Sequence, residues 1–388
     1  MVSLKHRAFG IRTMNKKNAL TTILIAMTLS PAIAQETEQS LATPQAKILN
    51  GDNASAYAND LLPWQASILM KSSDVSGCGA VVISNYWIVT AAHCIDPSIS
   101  NTLIAGTSYI PQGNAKTIDS KYIFNIIETE KYRHPLYNGH NVLSELDNDV
   151  AVMKVDRPLY TVAKPIKIAT PAEQALADDE FATTWVYGAY SKPTLIASGW
   201  GDTTETYLPP NELQVVKLAG IPDSQCATSY TSAGDQYFVC ADSNTPSVKK
   251  DACSGDSGGP LIWQNPTHKS DSDKGLRVVG VTSNGPDCYW KNSGVSDAQF
   301  NGLYTQLSTY LSWIESTTGV DLTSQAAASF SQDPFELIND EPKKTTVAST
   351  ENNSETEINP NTGSSSGGSV PLLGLISLAA VGLMRRRK

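Results

Sequence analysis

Charged and aromatic side chains are both scarce in this chain of 388 residues, at 17% and 7% of its length. The net charge is −9, and an acidic surface argues against nucleic acid as a partner. Only five histidines and six cysteines are present, and no two cysteines form a Cys-x-x-Cys pair. An even number of cysteines without that pair indicates disulfides rather than zinc or redox chemistry. Disulfides in turn indicate an oxidising compartment.

Long hydrophobic runs are missing except near the two ends of the chain. The first, 19–30, follows two lysines and precedes Ala-Ile-Ala at 32–34, a small-x-small pattern typical of a signal-peptidase site. We therefore expect residues 1–34 to be a signal peptide, with signal peptidase as a partner and translation starting at Met1 or Met14. A membrane anchor is the alternative, but the run is short for a bilayer.

The middle of the chain, about 48–319, has the pattern of a β protein. Short runs that alternate or carry β-branched residues are separated there by Gly, Pro, Asn and Asp clusters. One long stretch, 305–316, places Leu307, Leu311 and Ile314 on one face, which predicts a helix. Many short strands and one late helix indicate two small barrels or a sandwich, and no internal repeat is visible.

The composition changes after residue 319. Residues 323–369 are rich in Ser, Thr, Asn, Glu and Ala and contain few large apolar side chains. Such a segment buries too little surface to offset the entropy of ordering it, so we expect a disordered, low-complexity stalk over 320–369. An apolar run at 370–384 and a basic end of three arginines and a lysine follow.

A serine between glycines is the strongest chemical signal in the sequence. Residues 251–260 read Asp-Ala-Cys-Ser-Gly-Asp-Ser-Gly-Gly-Pro, and glycine tolerates the φ values that a tight turn requires. The backbone N–H groups of Gly255 and Ser257 can then converge on one point as an oxyanion hole. An isolated Gly-Asp-Ser-Gly string is usually a surface turn. Here it extends to Gly-Gly-Pro and follows a distant Thr-Ala-Ala-His-Cys segment, so Ser257 is the candidate nucleophile.

Acyl transfer by serine also needs a base beside the hydroxyl and an acid that orients the base. Among the histidines, only His93 lies in a segment of low polarity, 87–94, where a strand would hold it. A structural core histidine is the alternative for a lone residue of this kind. Two carboxylates precede the apolar run that begins at 150. Asp149 adjoins that run and is expected to face the imidazole, whereas Asp147 is expected to remain solvated.

Together these segments resemble the trypsin-like serine proteases of the chymotrypsin superfamily, peptidase family S1. Thr-Ala-Ala-His-Cys, Asp-Asn-Asp-Val-Ala and Gly-Asp-Ser-Gly-Gly-Pro match in the family's order His93, Asp149, Ser257, and Ala-Ser-Gly-Trp-Gly at 197–201 resembles a fourth segment. The resemblance covers about 48–319. It implies an all-β fold of two orthogonal six-stranded antiparallel barrels, chymotrypsin-like, with a C-terminal helix and a catalytic cleft between the barrels.

The same resemblance implies a monomeric serine endopeptidase that acts on proteins or peptides without a cofactor. The family's calcium-binding loop is not recognisable, so we expect no metal. A non-catalytic binding protein or adhesin on a protease-like scaffold is the alternative. Such proteins usually lack a triad residue, and all three are present here.

Three disulfides are implied by the family pattern, each worth about 3–4 kcal/mol of stability by loop-closure entropy. Spacing alone leaves about 15 pairings open for six cysteines. The implied pairs are Cys78–Cys94, Cys226–Cys240 and Cys253–Cys288.

Primary specificity is also implied by position. In the resembling proteases the residue six before the serine lies at the base of the pocket, and here it is Asp251. A carboxylate there selects lysine or arginine, because burying it unpaired is costly. The other matched substrate-binding residues are Ser283, Gly285 and Gly302. Asn284 stands where the family usually has tryptophan, and the stretch 288–302 is longer than usual, so a relaxed or different specificity is the alternative.

A switch by proteolysis is implied near the start of the β region. Ile-Leu-Asn-Gly at 48–51 follows Lys47 and resembles the family's new N-terminus, usually Ile-Val-Gly-Gly. Residues 35–47 would then be a propeptide, and cutting Lys47–Ile48 would free an ammonium group whose family partner is Asp256. In the alternative reading, Lys47 ends a flexible leader and the uncut chain is already active.

The end of the chain has a resemblance of its own. Gly-Gly-Ser at 367–369, the apolar run and the basic end resemble the GlyGly-CTERM sorting signal of Gram-negative bacteria. The resemblance implies a sorting tail at 370–388, cleavage near 367–368 by rhombosortase, and export by the type II secretion machinery to the medium or cell surface. A permanent anchor is the alternative, although the run is shorter than the roughly 20 residues of a spanning helix.

Overall fold

The structure is a computed structural model that describes most of the β region and the segment directly after it. The described residues are 48, 50–139, 147–202, 209–226, 236–285 and 301–339. The predicted signal peptide, the propeptide with Lys47, and the sorting tail lie outside them. Within the described residues, no helix has the length and apolar character needed to cross a membrane.

The first barrel follows a short strand, β1 (Asp52–Asn53), and is closed by six antiparallel strands in the order β2-β3-β4-β7-β6-β5. Their bounds are β2 Gln65–Met70, β3 Ser76–Val82, β4 Trp87–Thr90, β5 Ile99–Ala105, β6 Ile123–Arg133 and β7 Ala151–Val155. Strand β3 is buried on both faces. In β3, Ala80 and Val82 point into the barrel, whereas Val81 belongs to the core between the barrels, as the two-residue period of a strand requires.

The second barrel begins after β8 (Lys167–Ile168) and also has six antiparallel strands, which close in the order β9-β10-β11-β14-β13-β12. Their bounds are β9 Leu195–Gly199, β10 Gln214–Ile221, β11 Phe238–Asp242, β12 Pro260–Gln264, β13 Leu276–Asn284 and β14 Gly302–Gln306. Strand β8 pairs in parallel with β13, and β1 pairs with β10. The predicted architecture of two six-stranded antiparallel barrels is confirmed.

An apolar cluster that we call the interbarrel core joins the two barrels. Val81, Val89 and Val152 enter it from the first barrel, and Ile196 and Ile262 enter it from the second. All five side chains are buried, and burial of one such side chain is worth about 1.5–3 kcal/mol. The barrels are therefore held against each other mainly by this shared apolar surface.

The described residues contain three α-helices: α1 Pro171–Thr184, α2 Leu307–Thr318 and α3 Pro334–Leu337. The predicted late helix is α2, although Thr305 belongs to β14 and the helix begins two residues later. Helix α1 was not predicted. It starts with a capping box in which Thr170 and Glu173 bond each other's backbone, with proline at the first helical position, and both features are start signals.

The predicted stalk is wrong for residues 320–339, which pack against both barrels; we call this segment the clasp. Leu322, Phe330 and Ile338 are all buried in the interbarrel core, and the Phe330 ring lies edge-on to Trp64 with centroids 4.8 Å apart. The segment has few large apolar residues, but these three find a common partner surface. Residues 340–369 of the predicted stalk lie outside the described residues.

Two of the implied disulfides are present, Cys78–Cys94 and Cys226–Cys240. The first ties β3 to the turn that carries His93, and the second ties β11 to the chain that follows β10. Cys288, in the third implied pair, lies outside the described residues.

Candidate active site

A buried carboxylate and an imidazole meet at the edge of the first barrel. Asp149 is fully buried two residues before β7, after a turn in which Asn148 has φ of 63°, a left-handed conformation that asparagine tolerates well. His93 lies in the turn after β4, with Nδ1 2.8 Å from Asp149 Oδ2. The backbone N–H of His93 also donates to Oδ1 at 2.9 Å. This pair places the proton on Nδ1 and makes Nε2 the basic nitrogen.

A third donor reaches Asp149 from the second barrel. The hydroxyl of Ser283, near the end of β13, donates to Oδ2 at 2.7 Å, and the hydroxyl of Thr305 donates to the backbone carbonyl of Asp149 at 2.9 Å. Each donor stabilises a negative or partly negative oxygen in a site closed to water. The carboxylate is therefore satisfied by the protein itself and held in one orientation.

Ser257 lies on a turn of the second barrel that is pressed against the histidine segment. Gly258 has φ of +77°, and a Cβ there would lie 2.0 Å from the Thr90 hydroxyl, so only glycine allows this approach. The Ser257 carbonyl accepts a hydrogen bond from Gly79 N–H at 2.8 Å and lies 3.5 Å from Cys94 Sγ. The turn thus brings Ser257 beside the segment that carries His93.

The amides at this turn fit an oxyanion site. Gly255 has φ of +94°, a value that L side chains rarely adopt. The N–H groups of Asp256 and Gly259 are used within the turn, at 2.9 and 2.7 Å. Those of Gly255 and Ser257 donate to no acceptor among the described residues, which leaves two donors for a developing negative charge.

Asp251 lies between the two glycines that the sequence matched to the pocket wall. A Cβ on Gly302 would lie 2.9 Å from Asp251 Oδ1, and one on Gly285 would lie 4.0 Å from Oδ2. Burial raises the pKa of Asp251 to about 8, against the lowering effect of the hydrogen bond from Ala252 N–H. The Tyr304 hydroxyl is buried beside Gly302 and has no hydrogen-bond partner among the described residues. Such a site favours a cationic, hydrogen-bonding group.

With this geometry established, comparison with protein families gives one match. The family model described as Trypsin matches residues 48–314, which is more than half of the chain. The chain belongs to the trypsin family. This membership identifies it as a trypsin-like serine endopeptidase.

Individual trypsin-family relatives are distant. The chain is 27% identical to "Trypsin" of Sus scrofa over 272 residues, covering 70% of this chain and 95% of that protein. It is also 27% identical to "Trypsin" of Xenopus laevis over 296 residues, covering 76% and 97%. The match to "Ovochymase" of Halocynthia roretzi is 29% identical over 295 residues, 75% of this chain, but spans only 16% of that much longer protein.

Asp256, next to Ser257, is the second buried carboxylate of this trypsin-family chain with a raised pKa. Its oxygens accept hydrogen bonds from Gly201 N–H at 2.7 Å and from Cys253 N–H at 2.8 Å. Burial nevertheless raises its pKa to about 7. No lysine, arginine or histidine of the described chain forms an ion pair with it. Within the part of the chain that the structure describes, the carboxylate has two backbone N–H donors for partners and no cation.

The start of the trypsin domain is seated near these carboxylates. Ile48 is fully buried in the core of the second barrel, against which Ala252 also packs. The chain turns there, with Gly51 N–H bonded to the Ile48 carbonyl at 2.6 Å and Asn50 at φ of 57°. The Asn50 side chain donates to the Lys249 carbonyl at 2.6 Å. Ile48 and Asn50 thus lie against the loop that carries Asp251.

Sequence reasoning missed several contacts around Asp149. Ser283 was assigned to substrate binding alone, and Thr305 to a helix. Tyr310 was not singled out, yet its hydroxyl accepts from Asn148 N–H at 3.0 Å. Tyr137 lies near the same carboxylate, and burial, followed by the Asp149 charge, raises its pKa to about 12. None of these residues belongs to a recognisable motif, because each reaches the Asp149 region from another part of the chain.

A metal site is not formed by the one candidate group within the described residues, His93 with Cys78 and Cys94. The two sulfurs are bonded to each other, so neither is available as a thiolate ligand.

Proposed function

We propose that this endopeptidase cleaves after lysine or arginine. The observation that carries the proposal is the position of Asp251, buried with its carboxylate against Gly285 and Gly302. A long basic side chain passing those glycines would bring its cation to a carboxylate whose pKa is raised to about 8 by burial. Pairing with that cation restores the ionised form and repays its desolvation.

In the proposed reaction, Ser257 Oγ attacks the carbonyl carbon of the scissile bond while His93 Nε2 takes its proton. Asp149 stabilises the imidazolium that forms, through the 2.8 Å contact with Nδ1. The N–H groups of Gly255 and Ser257 donate to the oxyanion. The C–N bond then breaks as His93 protonates the leaving amine, and an acyl-enzyme remains. Water attacks the ester with His93 as base, and Ser257 is released.

The proposal includes a zymogen that is activated at Lys47–Ile48. Two observations support it: Ile48 is buried, and the buried Asp256 forms no ion pair with a described residue. Cutting the bond frees an ammonium on an apolar residue, and an ion pair with Asp256 offsets the cost of burying both charges only when their hydrogen bonds are complete. Gly201 and Cys253 already supply two of those hydrogen bonds.

Export completes the proposal. The signal peptide at 1–34 and the GlyGly-CTERM-like tail at 370–388 support passage through the periplasm of a Gram-negative bacterium, with the mature monomer secreted or attached to the surface. Two disulfides in the described chain agree with an oxidising compartment. Intact-mass measurement of the exported protein tests the tail, since retention of residues 385–388 would favour a permanent anchor.

The proposed specificity is tested by profiling the bonds cut in a peptide library by the activated protein. We expect cleavage after lysine and arginine, with Ser257→Ala inactive but folded as the control. Equal cleavage after apolar residues would contradict the specificity while leaving the endopeptidase in place. Substantial turnover by Ser257→Ala would contradict the assigned nucleophile.

A further inference from the structure

The proposed catalytic residues are divided between the two barrels. His93 and Asp149 lie on turns beside β4 and β7 of the first barrel, whereas Ser257 precedes β12 of the second. The distance from nucleophile to base is therefore set by how the barrels sit against each other. The interbarrel core is the apolar part of that contact. Any element that binds both barrels at this core also acts on the reacting atoms.

The clasp, residues 320–339, enters the interbarrel core with three apolar side chains spaced eight residues apart. Leu322, Phe330 and Ile338 are 6%, 5% and 3% exposed. The Phe330 ring packs edge-on against Trp64, which is itself fully buried just before β2. Aromatic contacts of this geometry contribute beyond the area they bury. The family match ends at residue 314, so these contacts are additions to the trypsin domain.

Polar contacts tie the clasp to the first half of the molecule. The Gln325 side chain donates to the Ile83 carbonyl, directly after β3, at 3.3 Å. Lys164, in the chain between the barrels, donates to the Ser329 carbonyl at 2.8 Å. At its end, Asn339 N–H donates to the Tyr57 hydroxyl at 3.2 Å.

Other contacts tie the same segment to the second barrel. Phe330 N–H donates to the Ser272 carbonyl at 2.9 Å, in the loop between β12 and β13. The Gln264 side chain donates to Asp333 at 2.9 Å, and Lys217 donates to the Phe335 carbonyl at 2.7 Å. Phe330 thus touches one half with its ring and the other with its backbone.

From this double attachment we infer that the clasp is a positioning element of the protease: it fixes the two barrels relative to each other and thereby holds His93 against Ser257. The inference rests on the catalytic roles proposed above. Small errors in the placement of reacting groups are costly, since a shift of about 1 Å costs about 100-fold in rate. A segment outside the family domain is therefore required for full turnover.

The test replaces Phe330 in the complete activated protein. We expect Phe330→Ala to lower kcat on an arginine substrate about 10-fold with KM changed less than twofold, because the pocket around Asp251 is untouched. Inactivation by a sulfonyl fluoride, which reports the reactivity of Ser257 directly, should slow by a similar factor. Phe330→Tyr should retain most of both rates. The matched control is Leu337→Ala, since Leu337 belongs to the same segment but is 40% exposed.

All rates are taken per folded molecule, so that a loss of stability alone does not imitate the effect. Unchanged kcat and labelling in folded Phe330→Ala would overturn the inference. If that variant does not fold, a specific cleavage site inserted after Gly319 allows the clasp to be cut and removed after folding. Loss of labelling that a synthetic peptide of residues 320–339 restores would support the inference, and labelling that survives removal would overturn it.

The sulfonyl fluoride separates failure of the inference from failure of the proposed function. A wild-type protein that is labelled but does not cleave after arginine contradicts the specificity, and the clasp is then judged on labelling. A wild-type protein that is not labelled at all overturns both.

Discussion

Two regions of the molecule bury carboxylates in different ways. In the first barrel, Asp149 is completely buried and accepts three hydrogen bonds, from the backbone and Nδ1 of His93 and from the Ser283 hydroxyl. In the second barrel, Asp251 and Asp256 are also buried, but burial raises their pKa values to about 8 and about 7. Burial disfavours a charge unless donors or opposite charges compensate for it.

The difference lies in whether the fold itself supplies all the hydrogen-bond and charge partners of the carboxylate. The Asp149 site contains all its own partners. The two carboxylates of the second barrel have backbone donors but no ion pair with a described residue. In the proposed function each receives a cation from elsewhere, Asp251 from the substrate and Asp256 from a newly cut N-terminus. The proposed function therefore assigns both specificity and activation to the second barrel.

Removing the charge of Asp149 should have the largest effect on activity. We expect Asp149→Asn to lower kcat by about 10⁴-fold, the loss recorded for this change in a Ser-His-Asp triad, because His93 then adopts the wrong tautomer. Steady-state kinetics on an arginine ester measure it. Asp147→Asn is the matched control, two residues away and only partly buried, and should keep nearly full activity. Equal losses in the two variants would mean that Asp149 has no special role.

Removing the charge at the pocket base should affect one substrate class only. Truncating one partner of a buried ion pair costs about 2–5 kcal/mol, so Asp251→Ser should lower kcat/KM for arginine substrates by about 30- to 4,000-fold. A matched phenylalanine substrate should change little. Asp251→Asn, similar in size but neutral, should behave like the serine variant. An unchanged arginine-to-phenylalanine ratio would place the base of the pocket elsewhere.

The proposed ion pair of Asp256 should change how the stability of the protein depends on pH. In the uncut chain the folded pKa of Asp256 is about 7, above its unfolded value of about 3.9, so folding favours the protonated form. Its contribution to stability is complete below pH 4 and is lost as the pH rises to 7, by an amount on the order of 3–4 kcal/mol. Cutting after Lys47 supplies an ammonium, and the loss should then shrink.

Urea unfolding of cut and uncut protein between pH 4 and 8 measures this difference. The uncut form is kept by Lys47→Gln, and Ser257→Ala in both prevents self-digestion. Asp251 is present in both forms, so the part of the difference that depends on Asp256 is the part that a substitution of Asp256 removes. Asp256→Asn should abolish it. Parallel pH profiles with Asp256 intact would contradict the proposed ammonium partner.

The smallest effect is expected at the contact between Asn50 and the loop that carries Asp251. Asn50→Gly keeps the left-handed backbone but removes the 2.6 Å bond to the Lys249 carbonyl. A single hydrogen bond has a net value of about 0.5–1.5 kcal/mol, so KM for arginine substrates should rise about threefold with kcat unchanged. Kinetics on matched arginine and phenylalanine substrates would detect it. An equal rise for phenylalanine would show that the contact does not act on Asp251.

A β fold could be predicted because the strands carry their pattern along the chain itself, whereas the choice of two six-stranded barrels over a sandwich came from the family resemblance. Helix α1 could not be found by periodicity, because the residues it buries, Gln174, Ala177 and Phe181, include only one large apolar side chain. Its start signals, Thr170, Pro171 and Glu173, were present and were not used. The average composition of 323–369 also gives no sign of the few buried apolar residues in the clasp.

Contacts that form only in the complete fold could not be predicted from the sequence. The three apolar residues of the clasp are too widely spaced for any helical or strand pattern. Their partner surface forms only when both barrels are in place. The Ser283 contact with Asp149 joins residues 134 positions apart, and nothing near either residue marks it. The motif residues could be singled out from the sequence because their neighbours are as distinctive as they are.

The hydrogen bond between Asn339 and Tyr57 also has a topological consequence. It brings the end of the clasp to Tyr57, in the segment that follows Ile48, and circular permutation is often tolerated where chain ends lie close together. A linker from Asn339 to Ile48, with new ends opened in the exposed turn at 269–271, would give a circular permutant. Its Ile48 nitrogen would remain in a peptide bond and could not become an ammonium. Under the proposed activation, such a permutant would stay in the inactive form, although its His93–Asp149 pair is already assembled.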